Sequence, residues 1–224
     1  MSRPPVYVPP EGDLPDLVAR VLAGRGQRLE DAMTLPPEAY TSRAFFDLEA
    51  EKIFRHDWLC VGHESQLPNV GDYFTLDVLN EPVVVVRRRS GIAIMSRVCL
   101  HRWAPVVEGS GNAKGFSCPF HRWGYSLEGE LTAAPYMDRA AGFDRHKCRL
   151  PEFRSEIVDG VIYMTFNRDA YSIRERLADF SSMMATRYDM NDLVVGWQVD
   201  YECNFNWKIA VETFMECYHH IGAH

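Results

Sequence analysis

Two short stretches, Cys99-Leu100-His101 and Cys118-Pro119-Phe120-His121, decide how this sequence folds and what it can bind. Each stretch pairs one thiol with one imidazole, and sixteen residues lie between the two pairs. Side chains two apart on an extended segment point to the same side, so Cys99 and His101 can reach one site. Proline favours a tight turn in the second stretch, which would direct Cys118 and His121 inward. We expect two loops that clasp one metal group from opposite sides.

The donor set favours a two-iron cluster over other metal groups. In such a cluster two thiolates hold one iron and two imidazoles hold the other, and the imidazoles raise the reduction potential. Zinc also takes two cysteines and two histidines, but its sites usually group like with like, whereas each pair here contains one of each. A zinc site and two unrelated pairs remain as alternatives. The favoured interpretation is a [2Fe–2S] cluster on Cys99, His101, Cys118 and His121.

The C-L-H and C-P-F-H stretches match the Rieske motif, and the sequence around them resembles a known enzyme family. Residues 101–131, HRWAPVVEGSGNAKGFSCPFHRWGYSLEGEL, resemble the α subunits of Rieske non-haem iron oxygenases, the aromatic-ring-hydroxylating dioxygenase family. Trp103 and Arg122 stand where many members have glycine. Respiratory Rieske proteins carry an extra cysteine in each loop, whereas Ala104 and Phe120 lie in that neighbourhood here. The resemblance implies a lower-potential cluster of the oxygenase or ferredoxin kind.

A second group of candidate ligands lies in residues 206–224, NWKIAVETFMECYHHIGAH. On an unbroken helix, Glu216, His220 and His224 would form one stripe. The family instead carries an acid, two residues, a histidine, four residues and a second histidine. That pattern implies His219 and His224 as ligands of a mononuclear Fe(II), with Glu216 as a bridging acid. These two histidines are off-face on a regular helix, so the helix must break between them.

The resemblance implies the oxygenase component of a multicomponent enzyme. Electrons from NAD(P)H would arrive through a separate ferredoxin or flavin reductase, enter the cluster and cross to a neighbouring subunit through Glu216, which implies a head-to-tail homotrimer. The Fe(II) would activate O₂ to hydroxylate or demethylate a small organic substrate. The sequence E-C-Y-H looks more like the branch that acts on quaternary ammonium compounds. The third iron ligand lies far downstream in the family, so we expect this chain to be an N-terminal part that is inactive alone.

A non-catalytic Rieske ferredoxin-like electron carrier is the rival function, and a zinc-stabilised interaction module is a third. The carrier would need no chain beyond the cluster domain. Residues 166–224, which contain N-W-K and E-C-Y-H, count against it.

The hydrophobic pattern predicts an α+β fold, in which an antiparallel β Rieske domain precedes the beginning of a helix-plus-antiparallel-sheet catalytic domain. We assign residues 1–44 to an N-terminal arm and helix, 45–165 to the Rieske domain and 166–224 to the catalytic fragment. Short β-branched and aromatic segments between turn signals indicate strands. They lie around residues 58–62, 72–79, 83–88, 92–98, 115–118 and 161–166.

Other local signals predict helices and one long strand. Ser42 can cap a helix over residues 42–56, and Ser172 with Glu175 has the spacing of a capping box. Residues 195–205 alternate apolar and polar side chains without a miss, which predicts a half-buried strand. The helical period returns after that segment.

Composition and charge exclude several classes of partner. The net charge of −7 argues against a nucleic-acid surface, and no apolar run is long enough to cross a membrane. Six cysteines in 224 residues are too few for a disulfide-stapled secreted domain. The N-terminal residues lack the apolar stretch of a signal peptide. We therefore expect a cytoplasmic, reducing setting in which thiols are free to bind a metal.

Overall fold

The structure, a computed structural model, describes residues 13–216. Contacts divide the chain into two compact units, one running from Ile53 to Gln198 and the other combining the chain through Lys52 with the chain from Val199 onward. The six α-helices of the described residues are α1 (Leu14–Ala23), α2 (Glu38–Thr41), α3 (Arg43–Glu49), α4 (Ile173–Arg176), α5 (Ala178–Ala185) and α6 (Trp207–Met215).

The unit from Ile53 to Gln198 is built on two antiparallel sheets. The large sheet has seven strands in the order β1-β10-β9-β4-β3-β2-β5, and the small sheet has three in the order β6-β7-β8. The predicted mixture of helices and antiparallel sheet is confirmed. The strands are β1 (Leu59–His63), β2 (Asp72–Val78), β3 (Glu81–Arg88), β4 (Gly91–Ser96), β5 (Ser110–Asn112), β6 (Phe116–Ser117), β7 (Gly124–Tyr125), β8 (Leu131–Ala133), β9 (Glu152–Val158) and β10 (Val161–Thr165).

The valine run of β3 is buried on both faces of the large sheet. Successive side chains of a strand point to opposite faces, so Val83 and Val85 pack into one core with Ile162. Val84 and Val86 pack into the other core, which also contains Cys99, Cys118 and other side chains around the predicted ligands. The predicted metal site is therefore rooted in the main core on one face of the sheet.

Four strands of the described residues escaped the sequence prediction, namely β5, β7, β8 and β9. Three of them have only two or three residues, which is too short for a periodic pattern. In β9, charged residues interrupt the apolar pattern, and Arg154 pairs there with Glu156 at 3.0 Å. The strand is identified by its pairing with β10 and β4, which places Ile94 opposite Phe153.

Two local predictions in the part of the chain after β10 were wrong. Residues 195–205 form no strand, because an extended segment becomes a strand only when a neighbour pairs with its backbone, and none of the described residues does so. The predicted capping box also does not form. Ser172 is the N-cap of α4, but its hydroxyl donates to Glu156 Oε2 at 2.7 Å instead of accepting from the helix. The Ser172 hydroxyl therefore bonds to a carboxylate sixteen residues away and not to a backbone amide of α4.

The second unit brings the N-terminal helices together with α6. Ser42 caps α3 as predicted, since its hydroxyl accepts a hydrogen bond from the Phe45 amide at 3.2 Å. A π-helical turn, Ala50–Phe54, follows α3. Leu17 and Phe45 form a small core with Ala39. No helix of residues 13–216 is long and apolar enough to cross a membrane.

Candidate metal centre

The two cysteine stretches form loops with the same backbone hydrogen bonds. In the first loop, the Cys99 amide donates to the Ala104 carbonyl at 2.9 Å and the Trp103 amide donates to the Cys99 carbonyl at 3.0 Å. In the second loop, the Cys118 amide donates to the carbonyl five residues on at 2.8 Å, and the Arg122 amide donates to the Cys118 carbonyl at 3.1 Å. Each cysteine thus opens a closed turn of equal size.

A left-handed residue closes each loop at the fourth position after the cysteine. The φ angles are +59° for Trp103 and +57° for Arg122. Glycine adopts this conformation without steric cost, whereas other residues do so rarely. The two positions that carry glycine in many members of the family this sequence resembles are therefore both left-handed here. The expectation that Cys99 and His101 lie on an extended segment was wrong, because residues 100–102 form a turn.

The loops bury their thiols and leave their imidazoles nearer the surface. Cys99 is 1% exposed and Cys118 is 2% exposed. His101 is half-buried and His121 is exposed. Their ring centroids lie 4.6 Å apart, and the rings are nearly perpendicular, at 79°. The structure therefore brings the two imidazoles together and buries both thiols in the same core.

An aromatic side chain holds His101 in place. The Trp123 ring stacks on the His101 ring, with centroids 4.9 Å apart and an interplanar angle of 10°. The Phe143 ring contacts the Trp123 ring in turn, with centroids 5.7 Å apart. Within residues 13–216, the His101 Nδ1 atom is buried and has no hydrogen-bond partner. Burial lowers the pKa of His101, and the nearby His121 and Arg102 charges lower it further. The neutral ring that results is the form that binds metals.

Tyr125 places a hydroxyl group beside the first thiol. Its Oη accepts a hydrogen bond from the Leu100 amide at 3.0 Å and lies 3.4 Å from Cys99 Sγ. Because the amide occupies the acceptor side, the hydroxyl hydrogen is free to point at the sulfur. Burial raises the pKa of Tyr125, and the Cys99 contact raises it further. The sequence carries no sign of this hydrogen bond beyond a hydroxyl group at a core position.

The donor set fits a cluster of two irons. Buried thiols suit a soft metal as thiolates, and the unpartnered Nδ1 of His101 requires a partner that the protein does not supply. No three His, Cys, Asp or Glu side chains among the described residues converge on one single-ion position. A two-iron cluster does not require such convergence, because each iron takes one pair of side chains.

The second predicted site is only partly described. Glu216 is exposed and follows the last residue of α6, and its amide donates to the Glu212 carbonyl at 3.2 Å. Asn206 caps the start of α6, since its side chain accepts from the Lys208 amide at 3.1 Å. His219 and His224 lie outside the described residues, and so does the predicted break in the helix.

Two sequence-family profiles match this chain in succession. Residues 57–154 match the Rieske [2Fe-2S] domain, and residues 190–224 match the ring hydroxylating alpha subunit (catalytic domain). The chain belongs to the Rieske oxygenase α-subunit family. The first match contains both cysteine loops, and the second contains α6 and the predicted iron ligands.

Relatives within the Rieske oxygenase family act on different substrates. The carnitine monooxygenase oxygenase subunit of Escherichia coli (strain K12) is 32% identical over 87% of this chain and 53% of its own length. Putrescine 2-hydroxylase of Ralstonia nicotianae is 35% identical over 85% of this chain and 49% of its own length. The benzene 1,2-dioxygenase α subunit of Pseudomonas putida is 31% identical over 86% of this chain and 44% of its own length. This Rieske oxygenase chain thus spans about half the length of these relatives.

Solved structures of the family share the fold. The quaternary ammonium Rieske monooxygenase CntA, in a structure described as informative on inter-subunit electron transfer, superposes with a TM-score of 0.82 at 32% identity. The match covers 86% of this chain and 54% of that one. A naphthalene 1,2-dioxygenase structure with bound indole gives a TM-score of 0.71 at 31% identity. That match covers 78% of this chain and 41% of the naphthalene dioxygenase chain.

Proposed function

We propose that this chain is the electron-accepting part of an oxygenase component, in which Cys99, His101, Cys118 and His121 hold a [2Fe–2S] cluster. The observation that carries the proposal is the pair of equivalent loops, each with a buried thiol and an imidazole closer to the surface. The match of residues 57–154 to the Rieske domain supports it.

The two kinds of ligand have different tasks. The thiols, 1% and 2% exposed, keep one side of the cluster in the dry core, where water cannot displace a sulfur ligand. The imidazoles face outward, and Trp123 fixes the orientation of His101. When bound, the cluster supplies one-electron transfer and the mononuclear iron supplies O₂ activation. Electrons therefore reach this site through its imidazole side, where a ferredoxin or flavin reductase that has been reduced by NAD(P)H can approach.

The proposed exit for the electrons is Glu216. We assign His219 and His224 as mononuclear iron ligands, and Glu216 as the acid that links them to a cluster histidine of a neighbouring subunit in a head-to-tail trimer. Glu216 is exposed at the end of α6, which leaves it accessible to a second subunit. The match of residues 190–224 to the catalytic domain supports this assignment and counts against a non-catalytic carrier.

Residues 1–44, 45–165 and 166–224 are our proposed arm, Rieske domain and catalytic fragment. Both family matches fall inside the corresponding proposed domains, at 57–154 and 190–224. We place the protein in the cytoplasm, where free cysteines and a nicotinamide-dependent reductase coexist.

The proposed substrate is a small nitrogenous cation, which the enzyme hydroxylates or demethylates. Two of the relatives are a carnitine monooxygenase subunit and a putrescine 2-hydroxylase, and CntA is described as a quaternary ammonium monooxygenase. The net charge of −7 suits a cationic substrate. An aromatic hydrocarbon, as in benzene 1,2-dioxygenase, is the alternative outcome of a substrate screen.

Cluster binding is tested by spectroscopy of the purified chain. We expect the visible absorption of a [2Fe–2S] centre and, after reduction, an S = ½ EPR signal with anisotropic g-values. Cys99→Ser and Cys118→Ser should lose both signals, whereas Cys60→Ser, at an exposed thiol of β1, should keep them. Stoichiometric zinc without iron or sulfide would contradict the proposal.

Mononuclear iron is tested in the full-length gene product. His219→Ala should lose the iron that is additional to the cluster, and His220→Ala should retain it. The reverse result would favour the helical stripe of Glu216, His220 and His224 over the assigned pair.

A further inference from the structure

A buried ion pair joins the N-terminal segment to the helix that leads into the proposed iron site. Lys208, in the first turn of α6, places its Nζ 2.7 Å and 2.8 Å from the two carboxylate oxygens of Glu49, the last residue of α3. The two side chains are only 8% and 7% exposed. A buried pair of this kind contributes little net stability compared with an apolar pair of similar size, so stability alone does not account for its presence.

The surroundings of the pair restrict its geometry. The rings of Tyr40, Phe45 and Trp207 surround the Lys208 ammonium, with centroids 5.6, 5.4 and 5.3 Å away. Trp207 Nε1 also donates to Glu49 Oε2 at 3.2 Å. The ammonium thus has hydrogen-bonded carboxylate oxygens and aromatic faces around it, and these contacts together restrain the orientation of the first turn of α6.

A second contact lies one turn further along α6. The Tyr40 hydroxyl donates to Glu212 at 2.8 Å from Oε1 and 3.0 Å from Oε2. Burial raises the pKa of Tyr40 to about 12, and the hydrogen bond and charge of Glu212 add to that effect. Lys208 and Glu212 are four residues apart, so both lie on one face of the helix. Two contacts along one face determine the direction of α6 and its rotation about its own axis.

We propose that Glu49 and Tyr40 are positioning residues for the mononuclear iron site, acting through Lys208 and Glu212 on α6. Glu216 follows α6 directly, and the assigned ligands His219 and His224 come next in the sequence. The N-terminal segment through Glu49 therefore belongs functionally with the catalytic fragment. This inference rests on the proposed function, since it requires that the stretch after α6 binds iron.

The test compares variants of the full-length protein by iron affinity and by hydrogen exchange of the α6 amides. Tyr40→Phe removes one hydroxyl and leaves the ring over Lys208, so the fold should survive. We expect it to weaken mononuclear iron binding about tenfold, the lower end of the range for groups that orient metal ligands. Exchange at α6 should accelerate by a similar factor, while the cluster EPR spectrum and midpoint potential stay unchanged.

Glu49→Gln leaves a buried ammonium without its counter-charge and should weaken iron binding more than Tyr40→Phe does. Glu49→Asp keeps the charge and should recover part of the affinity. The matched control is Asp47→Asn, the same carboxylate-to-amide change on α3 at an exposed position paired only with Arg43 among the ion pairs of the described chain. It should leave iron affinity and α6 exchange as in the parent.

The possible failures are distinguishable. If the parent protein binds no iron beyond the cluster, the proposed function falls and this inference falls with it. If the parent binds iron and Tyr40→Phe binds it equally well, with unaltered α6 exchange, only the positioning role is overturned. If Glu49→Gln fails to fold, Tyr40→Phe decides the matter alone. An equal loss of cluster and iron in Tyr40→Phe would indicate a general structural role and would also overturn the proposal.

Discussion

The hydroxyl of Tyr125 lies 3.4 Å from the sulfur of Cys99, although the two residues are 26 positions apart in the chain. The hydroxyl also accepts a hydrogen bond from the Leu100 amide, so it is held against the loop that carries the first thiol. Hydrogen bonds to cluster sulfurs are one of the ways in which a protein sets the potential of an iron–sulfur centre.

Tyr125→Phe should lower the midpoint potential of the cluster while leaving it bound. A hydrogen bond to sulfur favours the reduced state, which carries more negative charge. A preference of about 1 kcal/mol corresponds to roughly 40 mV for one electron. A spectroelectrochemical titration measures the change. Tyr163→Phe, in β10 of the large sheet, is the control and should leave the potential unaltered. An unchanged potential in Tyr125→Phe would show that the contact does not act on the sulfur.

His121→Cys should give a cluster of lower potential, because a thiolate adds negative charge where an imidazole adds none. Rieske centres lie well above all-cysteine clusters, and replacing one of two imidazoles should cost on the order of 100 mV. His146→Cys adds a thiol at an exposed position and should leave both the potential and the EPR spectrum of the parent. If His121→Cys behaved as the control does, His121 would not be a ligand.

Trp103→Gly and Arg122→Gly should each raise the thermal midpoint of the cluster-loaded chain. Both residues have a left-handed backbone, which costs a non-glycine residue about 1–2 kcal/mol. That cost exceeds the free energy lost because glycine gives the unfolded chain more conformational entropy. The net gain of about 0.5–1 kcal/mol corresponds to a few degrees at this size. Arg102→Gly, next to Trp103 but without a positive φ, should lower the midpoint instead. Calorimetry of the three variants measures the difference, and destabilisation by all three would refute the argument.

Glu156→Gln should destabilise the protein at neutral pH, and the deficit should disappear in acid. Burial works to raise the pKa of Glu156, but hydrogen bonds from Ser172, Arg154 and the Arg174 amide outweigh it, so the pKa is lowered from 4.5. A carboxyl group with a lowered folded-state pKa stabilises fully above its unfolded pKa and loses that effect as pH falls through the folded value. We expect a deficit of about 1–2 kcal/mol at pH 7.

Urea unfolding of the parent and Glu156→Gln, repeated between pH 7 and pH 3, measures that difference. The two unfolding free energies should converge below pH 4.5, the ordinary pKa of the group. A difference independent of pH would mean that the hydrogen bonds of Glu156 do not depend on its charge.

Local signals predicted those parts of the fold that local forces decide. Ser42 caps α3 as predicted, because a cap needs only an amide two or three residues away. The strand predicted at residues 195–205 and the capping box predicted at Ser172 were wrong for a common reason. A strand needs a partner strand and a serine hydroxyl takes the better acceptor, and neither the partner nor Glu156 is visible in the local pattern.

The chemistry of the proposed cluster site can be read from the sequence, because the donor atoms and their spacing are properties of two short stretches of chain. Which side chains surround those donors depends instead on how the chain packs. That the loops close through left-handed residues, that Tyr125 faces Cys99, and that Glu49 meets Lys208 across 159 positions all depend on the packing of distant segments. Periodicity records which face of an element is buried, but it does not record which element covers that face.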